Sequence, residues 1–332
     1  MERKLATVED IKEIQAIPNA DNIVKARVRH WWVVIGKDQF QVGDKCIYFE
    51  IDSLLPVYNP MFEGLDKYNS IKEQNGVTGY RIRTVKLRNQ ISQGLALPYT
   101  GDLPIGTDLT KELGVVKYDP YFDFKIRLRS DNGAEGLFPC FIPKTDEERI
   151  QNLEIEELCK YNNDRNHSQF NVTEKLDGTS FTAYKYESEF KVCSRNLILR
   201  RDESSIYWKI AVKYDIENII PDNFAIQGEI IGEGIQGNPL RIKGQELYVF
   251  YMYNIAEGKY DFKNLPLKQV PFFVPYKITC DTTIDQLIDF ANDFKSNINK
   301  ERQAEGLVFY RIEDGIKQSF KVLNNKYLLK EK

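Results

Sequence analysis

Histidine is scarce in this chain. There are two, His30 and His167, among 332 residues, so imidazole acid–base chemistry and His-rich metal sites have little to work with. The five cysteines (Cys46, Cys140, Cys159, Cys193, Cys280) are odd in number and never form a C-x-x-C pair. That excludes a zinc knuckle and a disulfide framework, and it leaves reduced, structural thiols as the expectation. No apolar run approaches the ~18 residues of a membrane span, and Met1-Glu2-Arg3-Lys4-Leu5 lacks the apolar stretch of a signal peptide. A cytoplasmic or nuclear protein with no membrane partner is expected. A strong excess of one charge is also missing. The net charge of −3 excludes an overall basic footprint and confines phosphate binding to local patches.

Two such patches exist. From Val77 to Gly101 there is no acidic residue, while Arg81, Arg83, Lys86 and Arg88 are basic. From Lys317 onward, five lysines, Lys326 among them, face one glutamate. Otherwise the composition is that of a folded protein, with 42% hydrophobic and 29% charged residues, and the length suggests two globular units.

Residues 1–113 read as short β segments (Trp31 to Ile35, Lys45 to Ile51, Tyr80 to Leu87) punctuated by Gly and Pro, the pattern of a small β-barrel. Alternation along Tyr80 to Leu87 places Arg81 and Arg83 on one face, with Lys86 and Arg88 on the other. Ile17-Pro18-Asn19-Ala20-Asp21, followed by a strand and Gly43-Asp44, resembles the opening of OB-fold modules. Loop residues at Tyr118-Asp119-Pro120 and Ser130-Asp131-Asn132-Gly133 mark 114–137 as a linker to a second unit at 138–332.

In that second unit, Thr145 and Glu148 have capping-box spacing and predict a helix from Asp146 that turns Ile150, Leu153 and Leu158 inward. Strands are expected at 170–174, 180–186, 190–194, 225–231, 246–254, 306–311 and 316–322. Helices are expected at 204–214 and around Ile284, Leu287, Ile288, Ala291 and Phe294. The mixed order indicates an α+β class.

Lys175-Leu176-Asp177-Gly178 at a strand end holds an amine beside a carboxylate and a glycine that permits close backbone approach. A lysine attacks phosphorus only as the neutral amine, so its pKa must fall through burial or nearby positive charge, including a metal. A Lys-x-Asp-Gly tetrapeptide alone arises by chance in roughly one chain of this size in fifteen. An ordered set follows it, however: Ser194-Arg195-Asn196, Gln227-Gly228-Glu229, the aromatic run Tyr248 to Ile255, Glu305-Gly306 and Ser319-Phe320-Lys321.

With these residues the chain resembles the covalent nucleotidyltransferases, the polynucleotide ligases and mRNA capping enzymes. Only eleven residues follow Lys321, too few for the OB domain that DNA ligases and capping enzymes carry there. The β-rich unit stands in front instead, and the stretch from Pro143 to Arg149 is similar to ATP-dependent RNA ligases with that order. The resemblance implies an N-terminal OB-like β-barrel followed by a mixed α/β, ATP-grasp-like ligase domain. It implies Lys175 as nucleophile, and Glu174, Asp177, Gly178, Arg195, Glu229, Tyr253 and Lys321 as ATP-binding residues. Lys144 and Arg149 would meet the outgoing pyrophosphate. Asp177, Glu229 and Glu305 would hold one or both of two divalent ions, Mg²⁺ or Mn²⁺, directly or through water. Arg81, Arg83, Lys86, Arg88 and Lys326 would contact nucleic acid.

The implied reaction seals RNA 3′-OH and 5′-phosphate ends, at nicks on an RNA or DNA template, by a monomeric enzyme of RNA repair. A capping-type guanylyltransferase and a non-catalytic RNA-binding OB protein are the alternatives. The sequence departs from the resemblance at one point: the last motif usually reads Lys-x-Lys, and Leu323 occupies the second lysine position.

Overall fold

In a computed structural model of the chain, residues 3–67, 70–74, 76–119, 133–159, 167–261 and 265–331 are described. Two compact units divide between residues 123 and 124. Residues 120–132 of the expected linker fall outside the described residues. The rest of that interval contributes one short strand to each unit's sheets.

The first unit carries β1 (Ala6–Ala16), β2 (Ile23–Val28), β3 (Trp31–Gly36), β4 (Lys45–Phe49), β5 (Ser53–Pro56), β6 (Ile71–Gln74), β7 (Val77–Arg81), β8 (Val85–Leu87), β9 (Gln90–Ser92), β10 (Leu95–Pro98) and β11 (Val116–Lys117). β1 pairs with β4 through Ala6 to Asp10. Past a register shift between Ile11 and Glu13 it pairs with β2. That bulge bends one long strand through both halves of a curled five-stranded sheet, ordered β10-β4-β1-β2-β3. Alternation sets its core: Trp31, Val33 and Ile35 of β3 point inward and are buried, while Trp32 and Val34 do not.

The expected continuous strand from Tyr80 to Leu87 does not form. β7 ends at Arg81, and Ile82 turns into the core, its N–H bonded to Ser53 O at 2.9 Å and its carbonyl accepting from Asp52 N at 2.8 Å. The shared basic face is lost with the strand. Arg81 pairs with Asp52 at 2.8 Å and covers the Tyr118 ring. Lys86 and Arg88 belong to a separate hairpin, β8-β9, with Arg88 in its left-handed turn at φ 49°.

The second unit carries β12 (Ala134–Leu137), β13 (Glu148–Arg149), α1 (Ile155–Cys159), β14 (His167–Lys175), β15 (Thr179–Tyr186), β16 (Glu189–Cys193), β17 (Leu197–Leu199), α2 (Ile206–Lys213), α3 (Ile216–Ile219), β18 (Phe224–Gly232), β19 (Gln245–Asn254), β20 (Lys259–Asp261), β21 (Tyr276–Thr279), α4 (Ile284–Asn292), β22 (Gly306–Glu313), β23 (Ile316–Leu323) and α5 (Asn325–Glu331). Two sheets result, ordered β12-β17-β16-β15-β18-β19-β20 and β13-β23-β22-β14-β21. Each is half covered by helices. Trp208, Ile210, Ala211 and Ile216 of α2 and α3 pack on Phe181, Ile226 and Ile230 of the larger sheet. Ile284, Leu287 and Ala291 of α4 pack with Phe170, Val172, Leu307, Phe309, Phe320 and Val322 of the smaller one. Helix α4 starts on a complete capping box between Thr283 and Gln286. No helix among the described residues is long and apolar enough to cross a membrane.

The helix expected from Asp146 is absent. Glu148 and Arg149 pair in parallel with Phe320 and Lys321 of β23, and helical turns begin only at Ile150. Strand pairing and side-chain partners on both sheets outcompete the local capping signal in this segment. Ile150 and Leu158 are buried all the same.

The core of the smaller sheet centres on Phe320, fully buried, stacked on Phe309 at 4.9 Å and edge-on to Phe170 at 5.4 Å. Phe320→Ala is expected to destabilise the second unit by roughly 3–5 kcal/mol, seen as a lower urea midpoint for its unfolding.

Candidate active site

Period-two alternation separates the core face of each strand from the other face. On β23, Phe320 and Val322 enter the core, so Lys317, Ser319, Lys321 and Leu323 share the opposite side. On β18, Ile226 and Ile230 are core, so Gln227 and Glu229 lie opposite. On β14, Phe170 and Val172 are core, which puts Thr173 and Lys175 on the far side with them. Lys175 ends β14, and Leu176-Asp177-Gly178 carries the chain from the smaller sheet to the start of β15 in the larger one. The amine therefore stands at the crossover between two sheets.

Glycine is required at the crossover. A Cβ on Gly178 would collide with the Ile230 carbonyl, the Ile231 side chain and the side chain of Glu229. Gly306 has a similar role at the start of β22, where a Cβ would meet the Val322 carbonyl. It is the register partner of Lys175, which brings the preceding Glu305 to the amine: Nζ donates to Glu305 Oε2 at 2.5 Å.

Three carboxylates surround this one ammonium. Burial acts to lower the Lys175 pKa, but the charge and hydrogen bond of Glu305, with the charges of Glu229 and Asp177, outweigh it and raise the pKa above the usual lysine value. Burial pushes Glu229 up to about 8, with Glu305 and Asp177 adding to the rise and Lys175 and Arg195 opposing it. Lys321 is lowered to about 8, first by burial and then by the charges of Lys175 and Arg149. Arg149 and Lys321 are register partners across β13 and β23, so two cations stand side by side. Such a pair suits a bound anion.

The segment from Pro143 to Arg149 ties the two sheets together. Gln227 Nε2 donates to Pro143 O at 2.7 Å, Lys144 Nζ to Asn196 Oδ1 at 2.5 Å and Arg195 to Asp146 at 2.5 Å, while the hydroxyls of Thr145 and Ser180 lie 3.3 Å apart. All those partners belong to the larger sheet or its connections. Glu147 reaches the other sheet, accepting from Lys317 at 2.7 Å and from the Ser319 hydroxyl. Lys317 is therefore buried against Glu147 and over the Tyr251 ring. It does not belong to an exposed basic tail. Lys326, by contrast, is exposed and 3.2 Å from Asp293.

Of the residues expected at the site, Lys175, Asp177, Glu229, Glu305, Arg195, Lys321 and Arg149 are brought within range of one another's charges. Glu174 is not. It lies on the core side of β14, 2% exposed, and its carboxylate accepts from Asn297 N at 2.9 Å. Burial raises its pKa. Tyr253 pairs with Ala225, four residues along β18 from Glu229, and its ring meets Tyr260 at 5.2 Å. Tyr248 is the residue directly across from Glu229. Sequence reasoning also missed Tyr327, whose hydroxyl donates to Asp177 Oδ2 at 2.5 Å. Its signal was Asn324 ahead of an apolar helical turn, hidden within a lysine-rich run.

No three Asp, Glu, His or Cys side chains among the described residues are arranged to ligate one metal directly. Asp177, Glu229 and Glu305 nevertheless gather carboxylate oxygens around the Lys175 ammonium. That fits a hydrated divalent ion held by one or two carboxylates and by phosphate oxygens.

A family model described as RNA ligase matches residues 168–323, and one described as an OB-fold domain matches residues 5–99. No curated protein matches the chain. Among solved structures, an apo Naegleria gruberi RNA ligase mutant is 35% identical with a TM-score of 0.77, covering 98% of this chain and 98% of that one. Naegleria gruberi RNA ligase with PPi is 36% identical with a TM-score of 0.73, and a mutant of it with ATP and Mn is 35% identical with a TM-score of 0.76; both cover 98% of each chain. Identity of this order over nearly the whole of both chains, on the same fold, places the chain in the RNA ligase family: it is a polynucleotide ligase with an OB-fold domain ahead of its ligase domain.

Proposed function

We propose that this RNA ligase uses ATP and a divalent cation to join RNA 3′-OH and 5′-phosphate ends, at nicks in duplexes, through a covalent adenylate on Lys175. The observation that carries this reading is the Lys175 amine at the sheet crossover, 2.5 Å from Glu305 and faced by a second lysine, Lys321, lowered by burial and by neighbouring positive charge. The similar Naegleria gruberi structures with ATP and Mn support the nucleotide and the ion.

In the first step the Lys175 ammonium gives a proton to Glu305, the oxygen nearest to it, and the neutral amine attacks the α-phosphorus. A nitrogen–phosphorus bond forms, and the bond from the α-phosphorus to the bridging oxygen breaks, releasing pyrophosphate. Lys321 and Arg195 hold phosphate oxygens, and Lys144 and Arg149 meet the outgoing pyrophosphate, Arg149 standing beside Lys321 in register. AMP then passes to the RNA 5′-phosphate. Attack by the 3′-OH finally expels AMP and leaves a phosphodiester. A divalent ion held by Asp177, Glu229 and Glu305 through water would neutralise phosphate charge and offset the carboxylates that hold Lys175 protonated. Tyr253 supplies the aromatic face for adenine. Arg83, Lys86 and Arg88, exposed on the first unit, and Lys326 on the second supply cations for the RNA backbone.

Incubation with α-labelled ATP and Mn²⁺, followed by a denaturing gel, is expected to label the wild type and leave Lys175→Ala unlabelled. Equal labelling of the two would sink the reading. Lys321→Ala should lower the labelling rate by roughly 10²-fold, the scale of losing one preorganised charge in a phosphoryl transfer site. On a nicked RNA duplex, joining should require a 3′-OH and a 5′-phosphate.

The Lys321 pKa of about 8 gives a second expectation. Its ammonium is present below pH 8 and lost above, so ATP affinity should weaken as pH rises through about 8. Fluorescence titration of Lys321→Gln should show a smaller step, the remainder belonging to Glu229, which also titrates at about 8, and an identical pH profile in both proteins would remove Lys321 from the phosphate site.

A further inference from the structure

The last helix of the second unit is fastened to the site at two points. Asn324, fully buried, donates its N–H to Glu305 O at 2.9 Å, while its side-chain oxygen accepts from Lys326 N at 2.8 Å and Tyr327 N at 3.2 Å. This cap starts α5 directly behind Glu305. One turn on, Tyr327 is 4% exposed, and a buried tyrosine needs a partner for its hydroxyl. The partner is Asp177 Oδ2, at 2.5 Å.

Asp177 stands in the three-residue crossover after Lys175. Tyr327 is the only hydrogen-bond donor that reaches its carboxylate among the described residues. The orientation of that carboxylate is therefore set by the helix rather than by the loop that carries it. With Oδ2 bonded to the hydroxyl, Oδ1 keeps both its lone pairs for Lys175, whose pKa the Asp177 charge helps to raise.

We propose that Tyr327 is a positioning residue of adenylyl transfer: its hydroxyl fixes the Asp177 carboxylate and so couples helix α5 to the loop that carries Lys175. The proposal rests on the reading of Lys175 as the adenylated lysine. The phenol acts only through Asp177, and supporting residues of this kind are worth about 10–100-fold in an active site.

The test is a double-mutant cycle on the full chain with wild type, Tyr327→Phe, Asp177→Asn and the double variant. Single-turnover transfer of label from α-labelled ATP would be followed against ATP concentration, with thermal midpoints measured alongside. Tyr327→Phe should slow transfer at saturating ATP by about tenfold with half-saturation unchanged within about twofold. In the double variant its loss should vanish, because the carboxylate it acts through is gone. A Tyr327→Phe rate within twofold of wild type overturns the proposal. So does a loss that multiplies with that of Asp177→Asn, which is what a fall in stability alone would give. An unlabelled wild type, by contrast, overturns the lysyl-adenylate reading itself and this proposal with it.

Discussion

The ion pair between Lys175 and Glu305 is the contact around which the catalytic unit is arranged. It joins the last residue of β14 to the residue just before β22, and it sits where the chain leaves one sheet for the other. A single ammonium there meets Glu305, Glu229 and Asp177, and the imbalance appears in both directions: the lysine is held protonated, while the carboxyl of Glu229 is driven to about 8. An amine in that state cannot attack phosphorus. On the proposed reading of Lys175, positive charge brought in with the nucleotide is what would offset these carboxylates. The question left by the sequence, how this lysine loses its proton, thus has an electrostatic answer that points away from neighbouring lysines. Lys321 is depressed by Lys175, yet the carboxylates still keep Lys175 raised.

The same constraint explains the connections around the site. The charged side chains at the sheet crossover are held in place by residues from distant parts of the chain. Pro143 to Glu147 bonds to both sheets, Asn324 carries Glu305 on its backbone, and Tyr327 carries Asp177 on its side chain. The buried pair of Glu147 and Lys317 adds a second bridge on the same face of β23 as Lys321, packed under Tyr251. A buried pair is weak evidence for stability but good evidence for a fixed register. Here the register is that of Arg149 beside Lys321.

Much of this was legible in the residues. The strands expected for the second unit are apolar and alternating and appear close to where alternation puts them, from His167–Lys175 to Ile316–Leu323, whereas the short strands β12, β13, β17, β20 and β21 carry no such signal. The helix at Ile284–Asn292 announces itself by the spacing of its apolar residues, and the structure adds the capping box that starts it. The order of Lys175, Glu229, Glu305 and Lys321 was readable because each sits on a strand or, for Glu305, immediately before one. What failed were readings that rest on local signals where tertiary partners decide. Thr145 and Glu148 have capping-box spacing, but β23 offers a strand partner, and extension wins. Tyr80 to Leu87 looks continuous until Ile82 is needed in the core. Lys317 and Lys326 look alike in a lysine-rich run, yet one is buried against Glu147 and the other lies at the surface. Charge counting along a sequence cannot separate them, because burial is a property of the strand face.

The departure at Leu323 follows from the same geometry. Leu323 shares the face of Lys321 on β23 but is 7% exposed, next to Asn324 and the cap of helix α5. It is the register partner of Gly306, in line with Lys175, so the smaller sheet ends on a buried leucine where the resemblance has a lysine. The cation that stands beside Lys321 is Arg149, delivered sideways by β13, and its planar guanidinium can grip two phosphate oxygens at once. Two cations for one phosphate site can thus be supplied along one strand or across two. On the proposed reading of the site, the second cation comes from across the sheet, and Leu323 stays buried just before the Asn324 cap.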